Sequence, residues 1–169
     1  MPGKYKNIQK DALKEVARHM CVAARTAPKT RGRDNLVVVT LTGEEKKKVI
    51  SRMKLIARRD GRPSCLRDAG NIKESDHIVV IGTKKEQLGL DCGFCGYKTC
   101  KELAGTKGVC AYNAMDLGVA LGSSASLAAR FHVDNRLMYS VGKAAIELGY
   151  LGKDAIQAIG IPLSATGKN

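Results

Sequence analysis

A chain of 169 residues, 44% of them apolar, is long enough to bury one real core and too apolar for wholesale disorder. No run approaches the ~20 apolar residues that cross a bilayer, and the opening Met1-Pro2-Gly3-Lys4-Tyr5-Lys6 has no apolar signal core, so a soluble, cytoplasmic protein is expected. Of the formal charge of +13, residues 1–60 carry +10, which suits an anionic partner, while two Phe, five Tyr and no Trp argue against a base-stacking surface for single strands.

The spacing predicts a helix over 7–27, because Ile8, Ala12, Leu13, Val16, Ala17, Met20, Cys21 and Ala24 recur at intervals of three and four. Pro28 stops it, and 29–34 form a basic loop. The β-branched run 35–41 predicts a short buried strand. Thr42-Gly43-Glu44-Glu45 has the pattern of a capping box and opens a helix to about 59, with Val49, Ile50, Met53, Ile56 and Ala57 on one face. Lys46-Lys47-Lys48 reads as its solvated side. Residues 60–76 read as irregular, and 78–81 as a second strand. Beyond a Gly-rich segment at 91–110, a helix of small residues is expected over 113–130. A further helix follows over 135–149 with Asp134 as its N-cap, then a last strand over 155–163. Gly118 and Gly122 inside the small-residue helix each cost ~1 kcal/mol against Ala, so they ask for a close neighbour, another backbone or a planar cofactor.

The cysteines are the most informative count. Cys92, Cys95, Cys100 and Cys110 lie within nineteen residues in the pattern C-x2-C-x4-C, with nine residues before the last. Without a secretory signal, such a cluster favours metal ligation over disulfides. Four thiolates can hold a [4Fe–4S] cluster or a tetrahedral zinc ion. Structural zinc usually takes two close pairs, whereas here three cysteines wrap one loop and a fourth closes from afar, which favours the cluster and leaves zinc as the alternative. Gly93, Gly96 and Gly108 would let amides point at cluster sulfides, and Phe94 and Tyr97 could exclude water. Cys21 reads as core and Cys65 as a free thiol in a loop. His19, His77 and His132 have no ligand spacing. No Ser/His/Asp or paired-carboxylate set stands out, so no catalytic residue is assigned. Ser164-Ala165-Thr166-Gly167-Lys168 fails as a phosphate loop, since its glycine spacing is too long and no helix follows.

Cys92-Gly93-Phe94-Cys95-Gly96-Tyr97-Lys98-Thr99-Cys100 resembles the CGxCGxxxC start of small iron–sulfur domains in corrinoid and carbon-monoxide enzymes of anaerobes, although the final Cys comes sooner here. Over nearly its whole length the chain resembles a family of ferredoxin-domain-containing proteins of anaerobic bacteria and archaea. Ala24-Arg25-Thr26-Ala27-Pro28-Lys29, the four cysteines, Val133-Asp134-Asn135-Arg136 and the run from Gly160 to Asn169 carry that resemblance. It implies a cluster and no particular reaction.

A second, fainter resemblance is to the nitroreductases, dimeric FMN enzymes in which an opening helix ends in an Ala-Pro-Ser turn before a buried strand. Ala27-Pro28-Lys29 stands at that place, before Leu36-Val37-Val38-Val39, with Lys replacing the Ser. The family's N-terminal Arg-Arg-Ser phosphate motif is absent. The resemblance implies a nitroreductase-like sheet flanked by helices, an α+β fold, in one domain over 1–169 with the Cys-rich insert at 91–110. It implies a homodimer with FMN beside Arg136, Met138, Tyr139 and Ser140 and with Lys168 near the phosphate; alongside it, the anionic FMN phosphate would suit the cations of Arg25 and of the basic loop, with Lys29, Thr30 and Arg31 as candidate contacts. The expected function is therefore an iron–sulfur redox protein, either a flavin-dependent oxidoreductase or an electron carrier, served by a redox partner protein. The alternative is a zinc-stabilised basic module binding nucleic acid.

Overall fold

A computed structural model describes residues 2–166, with side chains from Asn7 onward. Helix α1 (Pro2–Thr26) leads through a single 3-10 turn to strand β1 (Leu36–Leu41). Helices α2 (Gly43–Arg59) and α3 (Pro63–Asn71) precede β2 (His77–Lys84). The cysteine segment holds the short α4 (Cys100–Ala104), and α5 (Ala111–Arg130), β3 (Asp134–Asn135), α6 (Tyr139–Glu147) and β4 (Ala155–Ser164) complete the order.

The four strands form one antiparallel sheet in the order β1-β2-β4-β3. Its register pairs Val38 with Ile81 and Val80 with Gly160. Helices cover both faces, so the central β2 reads as an unbroken apolar run, with six consecutive buried residues from Ile78 to Thr83. On one face, Val79, Ile81, Ile161 and Leu163 pack against Leu13 and Met20 of α1 and Leu117 and Leu121 of α5. On the other, Ile78 and Val80 pack against Met53 and Ile56 of α2, Ile72 after α3, and Val141 and Ala145 of α6. The Ser124 hydroxyl of α5 donates to the Met20 carbonyl of α1 at 2.9 Å, a close contact that the small residues of α5 permit. Helix α6 lies even closer to the sheet. A Cβ placed on Gly142 would stand 1.8 Å from the Ala158 carbonyl oxygen, and one on Gly160 would stand 2.2 Å from Val141.

Three expectations need correction. Residues 60–76 are not wholly irregular: Pro63 opens α3, where a missing amide proton is harmless in the first turn. Cys65 therefore lies fully buried in a helix, not in a loop. Asp134 does not cap a helix; it pairs with Ser164 in β3, and α6 begins only at Tyr139. The Thr42–Glu45 capping box forms as expected.

Candidate metal centre

The segment from Leu88 to Tyr112 folds back on itself around a small third core of Leu88, Leu103 and Cys110, with Cys95, Tyr97 and Tyr112 against it. Two glycines make the turn possible: Gly93 and Gly96 have φ of +76° and +84°, and the Gly96 amide donates to the Gly93 carbonyl at 2.9 Å. The Asp91 carboxylate accepts from the Cys100 amide at 2.6 Å and so closes the first loop. The Thr99 hydroxyl then caps α4 by accepting from the Glu102 amide, while the Glu102 carboxylate accepts from the Lys98 amide. The Thr99-x-x-Glu102 pattern signals this helix start in the sequence, a signal the cysteine spacing overshadowed.

This folding brings Cys92, Cys95, Cys100 and Cys110 to the lining of one small, open-mouthed cavity. Leu88, Leu90, Tyr97 and Tyr112 supply apolar walls. Cys92 is exposed at the surface and Cys110 is buried. Cys110 is also the N-cap of the twenty-residue α5, whose positive end favours an anionic group there. The donor set, four thiols around one cavity, fits an iron–sulfur cluster or zinc in kind. The thiols are arrayed round the space and not drawn to a point: among the described residues no three His, Cys, Asp or Glu side chains converge on a single-ion site.

The expected flavin contacts fall into two groups, one around the end of α1 and the turn before β1, the other around β3 and the start of α6. In the basic loop, Arg25 donates to the Asp34 carboxylate at 2.5 Å and to the Leu36 carbonyl. The Lys29 ammonium donates to the carbonyls of Ala24, Arg25 and Ala27, closing the C-terminal end of α1. Thr30 is held by Asp116 of α5, and Arg31 donates to the Leu88 carbonyl at the edge of the cysteine segment. The loop's polar ends thus brace the fold around the cavity. In the second group, Arg136 and Met138 line a second cavity with Asn71, Ser75, Asp134, Pro162 and Ser164. Tyr139 shares a hydrogen bond with Ser64 and edges an apolar groove between α5 and α6 over β4. The Ser140 hydroxyl is buried on the Asp68 carboxylate at 2.6 Å. Lys168 lies outside the described residues.

Sequence reasoning passed over Asn113 and Asp116. Asn113 is buried beside the cavity, accepts from the Asn35 amide and donates to the carbonyls of Lys84 and Glu86, fixing the exit of β2 to α5. Such long-range partners leave no local pattern.

Comparison with known proteins gives the family. An uncharacterized protein of Archaeoglobus fulgidus is 37% identical over 97% of this chain and 92% of its own length. The chain belongs to that protein's family. A family described as "Uncharacterized protein containing a ferredoxin domain (DUF2148)" matches residues 106–169. The fold is that of the nitroreductases. A nitroreductase with bound FMN from Desulfitobacterium hafniense superposes with a TM-score of 0.63 at 15% identity, covering 92% of this chain and 79% of its own. The nitroreductase CinD from Lactococcus lactis, in complex with nicotinic acid, gives 0.63 at 11%, covering 92% and 82%. A BluB-like flavoprotein from Clostridium difficile gives 0.60 at 17%, covering 92% and 81%. No helix among the described residues is long and apolar enough to cross a membrane.

Proposed function

We propose that this protein is a redox protein that holds a [4Fe–4S] cluster on Cys92, Cys95, Cys100 and Cys110. The observation that carries the reading is the gathering of these four thiols, from two separate stretches of chain, around one apolar-walled cavity at the N-terminus of α5. Such a cluster supplies one-electron transfer. The chain's own part is to present the four thiols, to exclude water with Leu88, Tyr97 and Tyr112, and to fix the loop through Asp91 and Arg31. A reducing compartment, the cytoplasm, would keep the thiols available for ligation.

The same reading includes FMN in a homodimer. The FMN bound in the D. hafniense neighbour supports it. A flavin lying between two copies would draw on both groups of expected contacts. The exposed face of α5, with Met115, Gly118, Val119 and Gly122, offers a surface on which a second copy can approach closely.

Purification without oxygen tests the proposal. Iron and acid-labile sulfide in equal amounts, broad visible absorbance that bleaches on reduction, and bound flavin are the expected results. Stoichiometric zinc without iron overturns the cluster.

A further inference from the structure

We infer that the surface around Cys92 is a docking face for an acidic one-electron carrier protein; this rests on the redox reading above. The segment's two carboxylates are exposed, but each is engaged by a backbone amide, Asp91 by that of Cys100 at 2.6 Å and Glu102 by that of Lys98 at 3.1 Å. Its lysines turn outward. Lys98, Lys101 and Lys107 are exposed, and none has a carboxylate partner among the described residues. The same segment also exposes apolar side chains. Phe94 is 66% exposed, stacked at 5.8 Å on Tyr112, and Leu90 is 40% exposed. The exposed Cys92 stands beside them at the mouth of the thiol cavity.

An apolar centre within a charged rim is the anatomy of a protein interface. A rim of one sign steers a partner of the other and makes the encounter fall off with salt. Electron-transfer encounters bury little surface, below ~1,200 Å² in total, so the complex is expected to be weak and short-lived. The exchange balances simply: the carrier loses the electron that the thiolate-held group gains, with no bond made or broken and no proton moved.

The test titrates the intact protein, prepared without oxygen, with a plant-type [2Fe–2S] ferredoxin of acidic surface, reading affinity by calorimetry and recording iron content. Basic cytochrome c is the counter-probe. The triple variant Lys98→Glu, Lys101→Glu, Lys107→Glu should weaken ferredoxin binding by ~10-fold or more, and raised salt should do the same to the native protein. Phe94→Ser should weaken it severalfold. The variant Lys48→Glu, Lys54→Glu, Arg58→Glu makes the same change of net charge on the exposed side of α2 and should stay within ~2-fold. Equal losses in both triple variants, or cytochrome c binding as tightly as ferredoxin, overturn the inference. If the protein carries iron and ferredoxin does not bind, the docking face falls and the cluster reading stands. If iron is absent and the loop variant alone weakens binding, the docking face stands and the cluster reading falls.

Discussion

Asp116 ties Thr30 to α5 across eighty-six residues of sequence: the Thr30 hydroxyl donates to the carboxylate at 2.8 Å and the Thr30 amide donates at 3.1 Å. Asp116 is buried. Asp116→Ala would strand both donors, at a cost of ~1–3 kcal/mol, and free the loop that anchors the cysteine segment through Arg31. Urea denaturation should show the loss. Asp116→Asn should lose less, because one amide oxygen still accepts. Equal stability of Asp116→Ala and the native protein would show that the tie contributes nothing.

On the proposed cluster reading the cysteines divide by role. Cys110→Ala should remove or convert the bound metal and raise hydrogen exchange over 88–110, because ligation closes that segment and binding energy is folding energy. Cys65→Ala should leave metal content unchanged and cost ~1 kcal/mol of packing, since Cys65 is fully buried among Met53, Ile56 and Ile72 in the second core. Metal analysis beside a melting curve separates the two. Loss of iron in Cys65→Ala with full iron in Cys110→Ala would assign the fourth ligand wrongly.

The glycines make opposite predictions. Gly142→Ala forces a Cβ into the Ala158 carbonyl, so α6 must lift from β4, with a loss of ~1–3 kcal/mol and ~2–4 °C in Tm for each. A Cβ at Gly118 or Gly122 meets nothing within 4 Å in one chain. Gly118→Ala and Gly122→Ala should therefore stiffen α5 in an isolated chain by ~1 kcal/mol each, yet weaken a dimer that packs on that face. Sedimentation across a range of concentrations reads the difference. Unchanged association in both variants would remove α5 from the subunit contact.

The imidazole of His77 is held below the ordinary histidine range, chiefly by burial, with Lys14 and Lys46 adding to the effect and Asp76 opposing it. The folded state thus prefers the neutral ring. The unfolded chain takes the proton first as pH falls through ~6.5, so this contribution is complete above that value and is lost as pH drops toward the lower folded value. His77→Gln should flatten the stability profile between ~pH 7 and ~pH 5. Parallel profiles for variant and native protein would contradict the assignment.

The elements that announced themselves were those whose local signals agreed with the final packing. The small-residue helix expected over 113–130 is α5, Ala111–Arg130, and the last strand is β4, Ala155–Ser164. The capping box at Thr42 was legible because all its atoms are local. Helix α3 was hidden because Pro63 and Gly70 look like breakers, yet one sits in the first turn and the other near the end. The start of α6 was misplaced because Asp134 finds its partner thirty residues away in β4. At the candidate centre, spacing grouped the four thiols. Nothing local disclosed Asp91, Asn113 and Asp116, whose backbone and side-chain partners are brought near only by folding. The basic loop looked like a phosphate cradle because the sequence shows charges without their acceptors. Lys29, surrounded by three carbonyls at the end of α1, is a helix stop as much as a cation.

The two main cores contain no residue between Lys84 and Cys110; the cysteine segment has only its own cluster of Leu88, Leu103 and Cys110. The sheet and its helices can therefore assemble from their own burial before any cofactor arrives, leaving the segment as a flap on a finished scaffold. Cofactor delivery would be a late, separable step of maturation. If the segment holds the proposed cluster, losing it would open the flap and leave the two main cores in place.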